Sequence, residues 1–445
     1  MRNTTRFLKT AFVAALIPTA LSAQLGSPNP APGEQGTYAI RGARIVTVSG
    51  AVIPTGNVII SGGKITAIGA NAAIPSGANI IDGTGKSVYP GMMDAGTAMG
   101  LAEIAQGANP TLDNTEVGSF NPNAVAYYAM NPHSAHIGVS RVVGVTHVLS
   151  RPSSGVIAGQ GTLANLAGWT PAAMTIQQKA ALMISLPRAG GGGFGFAAQF
   201  GGGGANAANA TRTREAQLDS LRTMIADARA YDVAVRAAAA GNTPAPAVNL
   251  KLAAMVPYVR GELPVIFSAD TRADIRTAVE FAEAQQLKPI ILGGREAYLM
   301  GELLVSKRVP VIYTSLRQLP GREDDPFDIN FSAPAAMKAA GITFAISTGD
   351  DGPEVRDLPS FAGMAAAYGL SPEDALKSVT LWPAQILGLG SQLGSLEVGK
   401  VANVVVTNGD MLEARTVVEH LFIDGRLVPL DSRHTTLFDT HKARR

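Results

Sequence analysis

The chain of 445 residues predicts an α/β protein, a (β/α)8 TIM-type barrel with a flanking β-sandwich built from N- and C-terminal strands. Three observations predict this fold. Seven unbroken apolar runs in the middle of the chain alternate with helical patterns, the texture of parallel strands buried on both faces. Short alternating runs with Gly-containing turns fill residues 38–88, and a related texture returns over 391–430. The length accommodates a barrel of roughly 250 residues and a smaller β unit beside it.

The elements follow in order. Arg2, Arg6 and Lys9 precede the apolar run "TAFVAALIPTAL", and "TALSAQ" then offers small residues, so 1–23 reads as a secretory signal peptide cut after Ala23, with Ser22 as the alternative. That run, about a dozen residues, is too short for a bilayer core of roughly 30 Å. Residues 24–37, "QLGSPNPAPGEQGT", form a linker. "YAIRGARIVTVSG", "NVIISGGKITAIG" and "NIIDGTGKSVYPG" predict a small antiparallel sheet over 38–88, the N-terminal part of the sandwich.

Residues 89–390 hold the barrel, with strand candidates "GMMDAGT", "VGVTHVLS", "ALMISLP", "LPVIFSA", "KPIILGG", "VPVIYTS" and "ITFAIST". An eighth is expected near "GVIAGQGTLANLAG". Helical periodicity marks "RADIRTAVEFAEAQ", "SPEDALKSV" and the long stretch from Arg214. Residues 188–210 carry two runs of four glycines and read as a flexible insertion; a phosphate loop would need a following Lys-Ser or Lys-Thr. The C-terminal part of the sandwich spans 391–430, and 431–445 is a tail.

Composition narrows the function. Without the three leader cations the chain has 33 basic against 34 acidic residues, which gives no electrostatic case for a nucleic acid partner. Zero cysteines exclude disulfides, Cys-held zinc and a thiol nucleophile. A leader without cysteine fits a periplasmic or secreted protein, and no later apolar stretch is long enough for a transmembrane segment.

The stretch "GLSPEDALKSVTLWPAQILGLGSQLGSLEVGKVANVVVTNGD" carries Glu373, Ala375, Leu376, Thr380, Pro383, Ala384 and the run Gly394 to Lys400. Together with "DGTGKSVYPGMMDA" and "GVTHV", it resembles the amidohydrolase superfamily, in particular its imidazolonepropionase-like metal-dependent hydrolases. Asn403 stands where the family usually has Asp. The resemblance implies the barrel-plus-sandwich fold and hydrolysis of amide-type C–N bonds. It also implies one or two zinc or similar divalent ions held by histidines and a carboxylate, with an Asp shuttling the proton of a metal-bound water.

Laid onto this chain, the family's Pro-Gly-x-x-Asp-x-His-x-His strand keeps Asp94 but puts Gly96 and Ala98 at the histidine positions. "ALMISLP" has no Lys, Asp or Glu for the fourth strand, and the later histidines fall on Ser268 and near Gly293. The final acid has a counterpart in Asp350 or its neighbour Asp351, so Asp350 is the catalytic candidate. No metal ligand set and no cofactor are expected. His147 reads as a hydrogen-bonded packing residue, and His133 and His136 as solvated; His420 lies in the sandwich, His434 and His441 in the tail. The expectation is a non-catalytic subunit or binding protein. The alternative is an active hydrolase with an atypical site using Asp350. Partners in view are a second copy, an active amidohydrolase relative, or a small-molecule or peptide ligand.

Overall fold

Strands from both ends of the chain meet in one sheet. A computed structural model describes residues 33–104, 111–187, 207–241, 243–442 and 444; the expected signal peptide and most of the glycine-rich insertion lie outside them. Five short strands come first: β1 Tyr38–Ile45, β2 Ile53–Ser61, β3 Lys64–Gly69, β4 Asn79–Asp82 and β5 Ser87–Pro90. Eight follow: β6 Met92–Thr97, β7 Val145–Ser150, β8 Ile157–Asn165, β9 Thr175–Ile184, β10 Val265–Ala269, β11 Pro289–Gly293, β12 Val311–Tyr313 and β13 Phe344–Ile346. Three more close the chain: β14 Val404–Thr407, β15 Val418–Ile423 and β16 Arg426–Val428.

The flanking sheet runs β16-β15-β14-β5-β1-β2-β3, with β4 also on β1. Tyr38, Ile40, Val58 and Ile60 from the first strands share an apolar cluster with Val404, Val406 and Phe422 from the last. Neither end of the chain can bury its strands alone, so the chain must return. The N-terminal strands are not all antiparallel as predicted, because β1 pairs in parallel with β4 and with β5. The chain between them is long enough to cross over through β2 and β3.

The other sheet runs β13-β12-β11-β10-β9-β8-β7-β6, and it accounts for all eight anticipated barrel strands. Two apolar clusters divide its faces. Val265, Phe267, Ile291, Val311, Tyr313, Phe344 and Ile346 pack outward against helices, whereas Ile266, Ile290, Leu292 and Ile312 fill the interior with Met93, Leu149, Leu163 and Met183. Burial on both faces is why the strands read as unbroken apolar runs. One departure concerns β8, which is antiparallel to both β7 and β9. A parallel neighbour needs a crossover of a dozen or more residues, and only 151–156 separate β7 from β8.

Helices cover the outside. The helix Arg272–Ala284 buries Ile275, Ala278, Val279 and Ala282, a stripe at helical spacing, and the Thr271 side chain caps it by accepting from Asp274 N. Pro372–Ser378 starts at Ser371, whose hydroxyl accepts from Asp374 N, with Pro372 in the first turn. Ala384 of the helix Leu381–Ile386, with Leu387 and Leu393 after it, joins the interior cluster and plugs the barrel from below. No described helix is long and apolar enough to cross a membrane.

Candidate functional site

Barrel sites form where the parallel strands end, because loops there can vary without disturbing the core. At that end β6 brings Asp94 and Gly96, β10 brings Ser268, β11 ends at Gly293, and β13 runs out into Ser347, Thr348, Gly349, Asp350 and Asp351.

Asp94 is fully buried and takes four hydrogen bonds. Ser347 Oγ donates to its Oδ1 at 2.5 Å and Gly96 N at 3.2 Å, while Thr348 donates to Oδ2 through Oγ1 at 2.5 Å and through its backbone N at 3.1 Å. Burial raises its pKa above the ordinary carboxylate range, against the opposing pull of these donors. No ladder joins β6 to β13, so these side-chain bonds from the first strand to the end of the last span the seam where the sheet meets itself. The carboxylate has become a fastener, with both oxygens engaged.

Gly96 faces the packed interior. A Cβ there would lie 2.9 Å from Leu292 Cδ1 and 3.4 Å from both Ile312 Cγ2 and Ser347 Oγ, so an imidazole at this position would displace core side chains. Ala98 is likewise buried. Gly293 sits at φ +104°, and a side chain there would collide with the Asp270 carboxylate. Among the described residues, no group of three or more His, Asp or Glu is arranged to hold a metal ion. The divalent centre of the family does not fit this mouth, since apolar packing takes the space that its ligands would need.

Asp350 lies at the rim, its side chain 66% exposed, and accepts a charged hydrogen bond from Arg151 Nη2. Asp351 is exposed and precedes the short 3-10 turn Gly352–Asp357. Arg151 escaped the sequence reading. It follows β7 directly in "SRP", and its side chain is only 7% exposed. The available signal was a lone cation at the end of an apolar strand, a position where burial demands a counter-charge.

His147 lies toward the opposite end of its strand from Arg151, fully buried. Its Nδ1 is 2.7 Å from Thr146 Oγ1 and its Nε2 is 2.9 Å from Asn403 Nδ2. Burial pushes its pKa down to about 3, so the ring is neutral and both nitrogens are occupied. It is a packing residue, as its isolation in the sequence suggested. His133 and His136 do not share a helix face, because the helix Ala135–Arg141 begins after Ser134. Nor is His136 solvated: its Nε2 lies 2.9 Å from Glu103 O.

The Gly394–Lys400 motif also has a structural task. Lys400 Nζ donates to Gly390 O at 2.6 Å and to Ser395 Oγ at 2.5 Å, and lies 3.0 Å from Glu397 Oε1. The Ser395 hydroxyl and then Lys400 hold Glu397 down at a pKa of about 2. One buried ammonium thus gathers the loop that leads into β14.

These features define an eight-stranded barrel with a flanking β unit and a mouth filled by apolar and hydroxyl side chains. The sequence pattern of the amidohydrolase family matches residues 328–428. No curated protein matches the chain. Among solved structures, an amidohydrolase from Thermotoga maritima is similar over 88% of this chain and 99% of its own, with 25% identity and a TM-score of 0.77. A second amidohydrolase is 17% identical over 88% of this chain and 98% of its own, with a TM-score of 0.54. Molinate hydrolase is 16% identical over 89% and 95%, also at 0.54. These last two share the fold. Residues 328–428 are thus similar to the amidohydrolase family, and the fold of the whole chain is similar to that of the Thermotoga maritima amidohydrolase.

Proposed function

We propose that this protein is an exported member of the superfamily that holds no divalent metal at its barrel mouth and works as a non-catalytic subunit or a binding protein. The observation that carries the reading is at Gly96, where a Cβ alone would meet Leu292 Cδ1 at 2.9 Å and Ile312 Cγ2 and Ser347 Oγ at 3.4 Å, so an imidazole would need these side chains to shift. The engagement of both Asp94 oxygens supports it, since neither is left facing an open coordination position. The scaffold is one that performs C–N hydrolysis when histidines hold the metal, and in this reading it serves by assembly, with a second copy or with a histidine-bearing relative.

Metal analysis of the purified protein after dialysis tests the reading. The expected result is less than stoichiometric zinc, manganese or iron, and a melting temperature that EDTA leaves unchanged. Stoichiometric metal with a melting temperature that falls in EDTA would sink it. Export is tested separately, by N-terminal sequencing: a chain beginning near Gln24 is expected, and an intact Met1 on the abundant species counts against it.

A further inference from the structure

While the mouth is filled, the opposite end of the barrel leaves space beside its plug. A cleft of about 800 Å³ lies on the underside, where β10, β11 and β12 begin, a size within the range of small-molecule sites. Leu263, Ile290, Leu387 and Leu389 give it an apolar lining, and Lys288 and Arg308 bring cations to it.

Charge at this cleft is one-sided. Lys307 pairs with Glu283, and Glu262 pairs with Arg260 at 3.3 Å, so those charges are answered. The side chains of Lys288 and Arg308 make no hydrogen bond or ion pair with any described residue.

Arg308 is also conformationally out of place. The helix Gly301–Ser306 ends with Lys307 as its C-cap, followed by Arg308 at φ +53°; Arg308 N donates to Val305 O at 3.1 Å and Val309 N to Leu304 O at 2.8 Å. That is a Schellman ending, in which the left-handed position ordinarily goes to glycine because a Cβ there costs roughly 1 kcal/mol. Leu250–Val259 and Ile329–Ala339 follow the rule, with Gly261 and Gly341 at positive φ, whereas Arg272–Ala284 departs from it as Arg308 does, with Gln286 at φ +49°. Helix-dipole stabilisation does not explain the exception, since Lys307 already places a cation at this terminus. What distinguishes Arg308 from Gln286 is its place: its charge lies at an apolar cleft, where no described residue answers it.

We propose that the underside cleft is a binding site for an amphipathic organic carboxylate, whose hydrocarbon part lies on the leucine and isoleucine lining and whose carboxylate meets Arg308 and Lys288. The site is independent of the mouth, so its fate leaves the reading of the metal centre untouched.

Decanoate is a suitable probe, with decanol as its neutral counterpart, titrated calorimetrically into the full chain and into Arg308→Gly and Lys288→Gln. Decanoate is expected to bind at one site per chain and decanol at least about tenfold more weakly, the scale of one charge-assisted contact. Arg308→Gly should weaken decanoate by about tenfold or more while the ligand-free melting temperature holds or rises, because glycine suits the left-handed turn. Lys288→Gln should weaken it too. Absence of saturable binding, equal binding of decanoate and decanol, or undiminished affinity in Arg308→Gly would each overturn the assignment.

Discussion

His147 Nε2 and Asn403 Nδ2 stand 2.9 Å apart, and that contact ties the second barrel strand to the flanking sheet. The backbone N–H of Asp424 donates to Asn403 Oδ1 at 2.9 Å, which fixes the amide with its NH2 toward the ring. Nε2 is therefore the acceptor, and the proton sits on Nδ1, donated to Thr146 Oγ1, which in turn donates to Met92 O at 3.2 Å. Asn403 suits this tautomer, because a carboxylate in its place would set an acceptor against Nε2 unless the ring moved its proton and gave up the Nδ1–H bond to Thr146.

Asn403→Asp should therefore destabilise the fold by about 1–3 kcal/mol at neutral pH, read from urea unfolding. The pH dependence follows from the same ring. Its folded pKa of about 3 lies below the unfolded value of 6.5, so the unfolded chain binds the extra proton between these limits. The contribution of His147 is complete above about pH 6.5 and is lost as pH falls toward 3. His147→Gln should flatten the stability profile in that window; an unchanged slope would show that the ring does not titrate on unfolding.

Asp94 and Asp350 should separate cleanly. In Asp94→Asn the amide NH2 replaces one of two oxygens that each face donors, and the seam should lose about 1–3 kcal/mol. Asp350→Asn keeps an oxygen for Arg151 and should change stability by no more than about 1 kcal/mol. If the purified protein hydrolyses an amide, Asp350→Asn should abolish that activity and Asp94→Asn should reduce it less. Hydrolysis unaltered in both variants would move the chemistry away from the mouth.

Arg141 is fully buried, and its Nε, Nη1 and Nη2 have no hydrogen-bond partner among the described residues. Burial lowers its pKa to about 10, with Asp431 acting in the opposite sense, so it remains charged at neutral pH. Arg141→Met should raise stability by about 1–4 kcal/mol, because the desolvated charge is removed and the volume kept. A lower melting temperature in this variant would mean that the guanidinium has a working counter-ion, for which Asp431 is the first candidate.

The loop around Lys400 gives a contrast between burial and charge. Lys400→Met should cost about 1–3 kcal/mol, since Gly390 O and Ser395 Oγ lose their donor in a buried setting. Glu397→Gln should cost less, because that carboxylate is 46% exposed. Glu397 has a folded pKa of about 2 against an ordinary 4.5, so its contribution is present above pH 4.5 and fades as pH falls toward 2. Unfolding followed between pH 5 and pH 2 should show a shallower decline in Glu397→Gln.

The barrel was legible because strands buried on both faces and helices buried on one leave periodic marks in the sequence. The loss at Gly96 and Ala98 was legible for a simpler reason: neither residue has a donor atom to offer a metal. Other features required the fold. The direction of β8 follows from the short 151–156 link, whose length is defined only once the ends of β7 and β8 are placed, since the apolar pattern reads the same either way up. Asn403 and His147 are 256 positions apart, and their complementarity exists only because the flanking sheet returns beneath the second barrel strand. Likewise Arg151 acquires its meaning from Asp350, 199 residues away, since a counter-charge is a property of space rather than of order along the chain. Whether a missing ligand leaves a cavity or a core is also decided there. Leu292 and Ile312 close the space at Gly96, and close packing of side chains from distant strands is information that no local segment holds.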